Sequence, residues 1–188
     1  MLTHPVDSSP DRSVSRSARL TFLMGLIVVA AALRLIPHPP NFAPIGAMAL
    51  FSGASFADRR VALLLPLAAL FLSDLVLGLH ILLPVVYGSF ALNVLLGRWL
   101  RGRRRLVPVA LATLAGSIQF FVVTNFACWL LWYPHTLAGL ATCYAAALPF
   151  FHNTLLGDAT FAGVLFGATA LAEAGFPAIR ERTLPVVA

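Results

Sequence analysis

Long apolar stretches alternate with short polar turns along most of the chain. A helix needs about 20 mainly apolar residues to cross the hydrocarbon core of a bilayer. The turns between the stretches contain proline, aspartate or clustered arginine, which favour helix ends. The pattern predicts six helical segments, at about 18–36, 43–57, 61–80, 81 or 84–100, 106–132 and 150–171. A loop containing Tyr133, Pro134, His135 and Tyr144 is expected to lead into the sixth segment, over 133–149.

The second segment is shorter than a full span and follows the sequence Pro37-His38-Pro39-Pro40-Asn41. Proline removes a backbone donor and restricts the residue before it, so the first helix should end here. We therefore expect the second helix to be short or broken and shielded by its neighbours.

Polar sequence flanks the six segments. Residues 1–17 predict a disordered cytoplasmic tail, 18–172 the transmembrane domain, and 173–188 a cytoplasmic C-terminal tail. Ala30 and Ala32 fit a signal-peptide cleavage site, but the apolar run continues to Ile36, which favours a retained anchor.

The composition sets the class of protein. Of the 188 residues, 60% are hydrophobic and 11% are charged, and the mean hydropathy is +0.89. A soluble domain usually carries about 25% charged residues, so an ordinary soluble domain and a disordered chain are both excluded. The predicted fold is all-α, a compact polytopic bundle of six transmembrane helices.

The basic charge indicates topology. All 13 basic residues are arginine, and the net charge is +6. Basic loops stay on the cytoplasmic side of a membrane. With the N-terminus inside, twelve of the 13 arginines fall in inside segments, and the outside turns near 37–43, 80–84 and 133–149 hold none. The charge therefore predicts that both termini are cytoplasmic, and it gives no reason to expect nucleic-acid binding.

Apart from the twelve arginines assigned to the inside, three charged residues lie within predicted spans: Arg34, Asp74 and Asp158. An ionised group at membrane depth costs about 2.5–3.5 kcal/mol on insertion scales, so it usually pairs or lines a cavity. One arginine between two aspartates would offset much of that cost. Two interpretations stay open: an ion pair that fixes the helix register, and a binding pocket.

Other polar and aromatic side chains concentrate toward the outer side. Asn125 and Asn153 lie near outer helix ends, and their amides suit either a polar ligand or helix–helix hydrogen bonds. Trp132 fits either an aromatic belt or a stacking wall. Four of the five histidines map to the same side, which suggests a shared site: His38, His80, His135 and His152.

Signatures of catalysis and of metal binding are missing from the sequence. No H-x3-H pair or CxxC is present, so we expect no metal site and no cofactor. No G-x-S-x-G, H-E-x-x-H or Walker A motif is present either. We expect a protein that is not an enzyme and cannot drive active transport by itself.

Three stretches carry a resemblance: NFAPIGAMALF at 41–51, LSDLVLG at 72–78 and PFFHNTLLGD at 149–158. They resemble an uncharacterised family of bacterial six-span membrane proteins, over roughly 20–170. That family in turn resembles the substrate-binding S components of energy-coupling factor (ECF) transporters. S components bind vitamins or metal ions in a pocket near the outer face, and they work with a transmembrane coupling protein and two ATPases.

One departure concerns docking. S components often carry A-x-x-x-A in the first helix for the coupling protein, whereas here Arg34 follows the alanine run. The small residues Ala49, Gly53 and Ala57, at spacing four, let a helix approach closely. We expect that helix to belong to the same bundle, with docking of the coupling protein as the alternative.

The resemblance implies a multi-pass transport protein of the bacterial inner membrane that takes up a vitamin or similar small cofactor, with a corrinoid as one candidate. The alternatives are a membrane scaffold whose polar residues only pack helices, and an enzyme that uses the outer histidines and aspartates. The predicted substrate-binding residues are Arg34, Asn41, Asp74, Asn125, Asn153, Asp158, His38, His80, Trp132, His135 and His152.

Overall fold

The computed structural model describes residues 10–181. Over this range the chain forms six α-helices, a short 3-10 turn at Pro177–Ile179, and no strand. The helices are α1 (Pro10–Leu33), α2 (Ile45–Ser55), α3 (Arg59–Leu77), α4 (Leu83–Trp99), α5 (Leu106–Trp132) and α6 (Leu137–Gly175). The all-α prediction is confirmed. Residues 10–17 of the predicted tail belong to α1, and the tail segments 1–9 and 182–188 lie outside the described residues.

Three of these helices, α3, α5 and α6, are long and apolar enough to cross a membrane. The apolar part of α1 (Ser17–Leu33) and α2 are shorter. Large apolar side chains cover the outside of the bundle: Leu72 is 64% exposed and Val76 is 72% exposed. A continuous apolar exterior of this kind marks a membrane protein.

The second helix, α2, lies at the centre of the bundle, and all eleven of its residues are buried. At 1.5 Å per residue it is about 16 Å long, roughly half of the 30 Å hydrocarbon core. The prediction of a short, shielded second helix is confirmed. The other helices supply the lipid-facing surface, and α2 fills the space between them.

Close contact with α4 explains the small residues of α2. A Cβ atom added to Gly53 would lie 2.0 Å from the Val94 carbonyl oxygen, and one added to Gly97 would lie 2.0 Å from the Leu50 carbonyl oxygen. Two glycines thus bring the backbones together, as small residues do between membrane helices. The expectation of a partner within the bundle is confirmed. Because every residue of α2 is buried, Ala49 and Gly53 present no free face on which a coupling protein could dock.

The predicted loop over 133–149 is wrong, because α6 begins directly after Thr136. The Thr136 hydroxyl accepts a hydrogen bond from the Gly139 amide at 3.0 Å and caps the helix. Pro149 lies inside α6, where it removes one backbone hydrogen bond, a loss that membrane helices tolerate. Tyr144 is helical, and its hydroxyl donates to the Val122 carbonyl of α5 at 2.7 Å.

The two ends of the bundle differ in charge. At one end, which we call the arginine end, Arg19 forms an ion pair with Glu173 at 3.2 Å. Arg104 also pairs with Glu173, at 3.6 Å, and with Glu181. The turns at 56–58 and 100–105 belong to this end, and the turns at 34–44, 78–82 and 133–136 belong to the other.

Opposite charges also face the two ends of α2. The Asp158 carboxylate lies beside the Ala47 amide in the first turn. At the other end, Arg101 Nη1 donates to the carbonyl oxygens of Phe56 and Ala57, at 2.9 and 3.0 Å. The first amides and last carbonyls of a helix lack partners inside it and carry partial charge. These two side chains therefore compensate the dipole of a helix whose residues are all buried.

Candidate functional site

A cavity of about 400 Å³ opens at the end of the bundle opposite the arginine end. All six helices or their connecting turns contribute to its wall, since the loop at 34–44 and the adjacent ends of α2 to α6 converge here. Its volume is within the range of small-molecule sites, about 300–1,000 Å³. Six of the predicted binding residues line it: Arg34, His38, Asn41, His80, Asn125 and Asp158.

Arg34 and Asp74 form an ion pair at the wall. Arg34 Nη1 lies 2.6 Å from Asp74 Oδ1 and also donates to the Ser73 hydroxyl. Tyr87 donates its hydroxyl proton to Asp74 Oδ2 at 2.9 Å. Asp74 is 2% exposed and does not line the cavity, so it lies behind Arg34 and holds the arginine side chain in place. The pair neutralises the arginine and fixes the direction of its guanidinium.

Asp158 reaches the cavity from the middle of α6. Its Oδ2 accepts a hydrogen bond from the Ser117 hydroxyl at 2.6 Å, and the side chain is 5% exposed. Gly46 makes room for it, since a Cβ there would lie 2.3 Å from Asp158 Oδ1. The expected sharing of Arg34 between two aspartates is wrong: Arg34 pairs with Asp74, and Asp158 is held by neutral groups.

The cavity is closed toward the arginine end. Asn93 and Asp158 form part of its inner wall. The crevice beneath them, which Leu50 and Gly116 also line, is too narrow for a water molecule. A cavity that is open at one end and closed at the other suits binding of a molecule better than its free passage.

Two pairs of phenylalanine rings give the cavity flat apolar walls. Phe90 and Phe120 stack with their centroids 5.1 Å apart. Phe121 and Phe151 are closer, at 4.4 Å, and are tilted by 33°. All four residues line the cavity. Such surfaces favour a planar ring as ligand.

The loop after α1 shapes the rim. His38 places its two ring nitrogens 3.0 Å from the Pro39 carbonyl and 3.3 Å from the Arg34 carbonyl. Asn41 has a φ of 64°, a left-handed conformation that asparagine adopts more readily than most residues. Asn153 donates to the Pro40 carbonyl at 2.9 Å and ties α6 to this loop.

The remaining predicted residues lie away from the cavity. His135 is exposed in the turn between α5 and α6, where Nε2 lies 3.0 Å from the Leu130 carbonyl and the ring packs edge-on against Trp129. Trp132 is 60% exposed at the end of α5, and His152 is exposed on α6. Of the four histidines expected to share a site, His38 and His80 line the cavity, whereas His135 and His152 do not.

The sequence interpretation did not identify the aromatic wall or the support of the charged residues. Phenylalanine within a span is typical of a lipid-facing surface, so the sequence alone did not indicate that Phe120, Phe121 and Phe151 line a cavity. Ser73 and Ser117 are short polar residues that look like helix-packing groups. The available signal was spacing: Ser73 adjoins Asp74, and the paired phenylalanines lie next to polar positions in α5 and α6.

The donor set does not point to a metal centre. Among residues 10–181, no three histidine, cysteine, aspartate or glutamate side chains are grouped so as to hold a metal ion. The arrangement instead offers hydrogen-bond acceptors, a neutralised arginine and flat apolar walls, which together can hold a small organic molecule.

Comparison with known proteins gives a family. The chain belongs to a family of unknown function, DUF6580, which it matches over residues 14–179. A search of curated proteins and a search of solved structures gave no match.

Proposed function

We propose that this member of the DUF6580 family is a membrane transport protein that binds a small molecule in the cavity at the end opposite the arginine end. The observation that carries the proposal is the cavity itself: about 400 Å³, open at one end, closed at the other, and lined by six residues selected from the sequence. The function would be that of an ECF S component, uptake of a vitamin or similar compact cofactor.

The proposed topology has six crossings with both termini in the cytoplasm of a bacterium, in its inner membrane. The grouping of arginines supports this orientation, because basic segments remain on the cytoplasmic side. In this arrangement α2 together with the loop at 34–44 makes the second crossing. Irregular backbone at membrane depth is tolerated where protein surrounds it or where it lines a cavity, and the loop at 34–44 contributes to the cavity wall.

A compact ligand fits better than a corrinoid. The volume of about 400 Å³ is at the small end of the range for ligand sites, whereas a corrinoid is a large macrocycle. The protein would act by binding rather than by chemistry, and transport would need a coupling protein and ATPases. With α2 covered, such a partner would have to dock on an outer helix.

A test is mass spectrometry of small molecules that copurify with the full chain in detergent. We expect one compound near equimolar amount, lost in Asp158→Asn and retained in Thr160→Ala, an exposed position on the same helix. Absence of any bound compound from folded wild-type protein would count against the proposal.

The second candidate is a membrane scaffold without a ligand. The Arg34–Asp74 pair and the Asn153–Pro40 hydrogen bond favour it, because both join separate elements of the bundle. This candidate predicts a copurifying protein and no small molecule.

A further inference from the structure

The charge of Asp158 is not balanced by a basic side chain. In the part of the chain that the structure describes, Arg34 is paired with Asp74, and no arginine or histidine forms an ion pair with Asp158. Its neighbours are the Ser117 hydroxyl and the start of α2, which supplies only about half a positive charge. A buried carboxylate without a full counter-charge is costly, and it faces the cavity.

A second acceptor lies in the same inner wall. Asn93 is 2% exposed, and its Oδ1 atom has no hydrogen-bond partner. Gly116 lies against this oxygen, since a Cβ there would come within 2.8 Å of it. A buried acceptor without a donor is unfavourable. Asn93 and Asp158 line both the cavity and the closed crevice below it, so the two side chains lie together at the inner end of the cavity.

Aromatic rings lie beside these acceptors. Phe90 is three residues from Asn93 on α4, close to one helical turn, and Phe120 stacks on it at 5.1 Å. Aromatic faces attract both flat rings and cations. An anionic ligand would bring a second negative charge toward Asp158, which disfavours a carboxylate or phosphate at this depth.

We infer that the cavity takes a small aromatic cation, a flat ring that carries N–H donors, with its charged end at Asp158 and Asn93 and its ring between the phenylalanine walls. This inference rests on the proposed binding function and specifies the class of ligand. The ligand supplies the missing positive charge and the missing donor together, and the volume of about 400 Å³ limits it to a compact molecule.

The test uses three probes of nearly equal shape: benzamidine (cationic), benzamide (neutral) and benzoate (anionic). Binding of each probe to the purified full chain in detergent is measured by isothermal titration calorimetry. We expect the Kd of benzamidine to be about tenfold or more below that of benzamide, as for a hydrogen bond to a charged group. Benzoate should not bind.

Two variants address the assigned atoms. Asp158→Asn should weaken the binding of benzamidine about tenfold or more and that of benzamide little. Asn93→Leu should weaken the binding of both N–H donor probes, benzamidine and benzamide. Because Asp158 also faces the start of α2, thermal unfolding of each variant is measured first. If Asp158→Asn does not fold, Asn93→Leu and the order of the three probes decide.

The outcomes separate this inference from the proposed function. Equal affinity for benzoate and benzamidine, or an unchanged affinity for benzamidine in a folded Asp158→Asn, overturns the cation assignment and leaves a binding pocket. A copurifying compound that is anionic does the same. If none of the probes binds and no compound copurifies, both the inference and the proposed function are wrong.

Discussion

Arg34 Nη1 lies 2.6 Å from Asp74 Oδ1 and connects the end of α1 to the last turn of α3 at the cavity wall. The carboxylate is almost completely buried, and Tyr87 also binds it. The pair joins two elements that are 40 residues apart in sequence. It therefore determines both the shape of the cavity wall and the charge that a ligand meets there.

Removing only one member of this pair should be costly. Asp74→Ala leaves a largely buried guanidinium without its partner, and we expect a loss of about 3 kcal/mol or more in stability. The double variant Arg34→Met/Asp74→Leu should lose less than the two single variants added together. Thermal unfolding in detergent, analysed as a double-mutant cycle, measures the coupling. Additive losses would show that the pair does not contribute.

The contact between α2 and α4 should not accept a methyl group. In Gly53→Ala the new Cβ would press on the Val94 carbonyl, and we expect a loss of about 1–3 kcal/mol, as for overpacked cores. Gly163→Ala is the matched control, because nothing lies within 4 Å of a Cβ there. In a helix interior this change should stabilise by up to about 1 kcal/mol. Equal effects in the two variants would contradict the packing described.

Arg101 should stabilise the C-terminal end of α2. Arg101→Gln removes a charged donor from the Phe56 and Ala57 carbonyls, and we expect a loss of about 1–3 kcal/mol. Arg60→Gln, at an exposed position, should change stability by less than about 0.5 kcal/mol. Chemical unfolding in mixed micelles compares the two. Each variant removes one arginine, so any effect of the number of arginines on membrane orientation would appear in both variants.

The start of α3 should be sensitive to acid. Asp58 accepts hydrogen bonds from the Val61 and Arg60 amides, and these lower the pKa of its carboxyl group below the ordinary value of 3.8. Its contribution to stability is therefore full above the unfolded-state pKa and is lost as the pH falls through the lower folded-state pKa. Asp58→Asn keeps an acceptor and should reduce the change in unfolding temperature between pH 6 and pH 3. An unchanged pH profile would count against this cap.

Cys128 should report which side of the membrane the cavity faces. In right-side-out vesicles, a membrane-impermeant maleimide should label Cys128 from outside and leave the buried Cys143 unmodified. Cys128→Ser should abolish labelling. In inverted vesicles the same reagent should give no product. Labelling only in inverted vesicles would reverse the proposed orientation.

The sequence predicted the helices where a polar turn follows an apolar run. The bounds of α5, 106–132, match the prediction at both ends, because arginines precede the helix and Tyr133-Pro134 follows it. For α6 the expected start was wrong by 13 residues. The sequence Tyr133-Pro134-His135 together with Pro149 indicated a loop, but the chain between them is helical and packs against α5 through Tyr144.

The site shows the same division. Arg34 and Asp158 stand out because charge is rare within spans, and both line the cavity. Their partners could not be predicted in the same way. Asp74 lies behind Arg34 and Ser117 binds Asp158 because of how each helix is rotated about its axis, and a single sequence does not reveal that rotation. Only two of the four histidines predicted to share one site line the cavity, because residues in separate turns can lie at the same end of the bundle and still be far apart.

The complete enclosure of α2 has a consequence for biogenesis. An 11-residue helix is too short to cross the bilayer alone, so α2 depends on its neighbours for its position. Its packing is complete only when α4 has supplied its glycine contact and α6 has brought Asp158 to its first turn. A chain that ended before α6 would therefore leave part of α2 uncovered and the Ala47 amide without the Asp158 carboxylate.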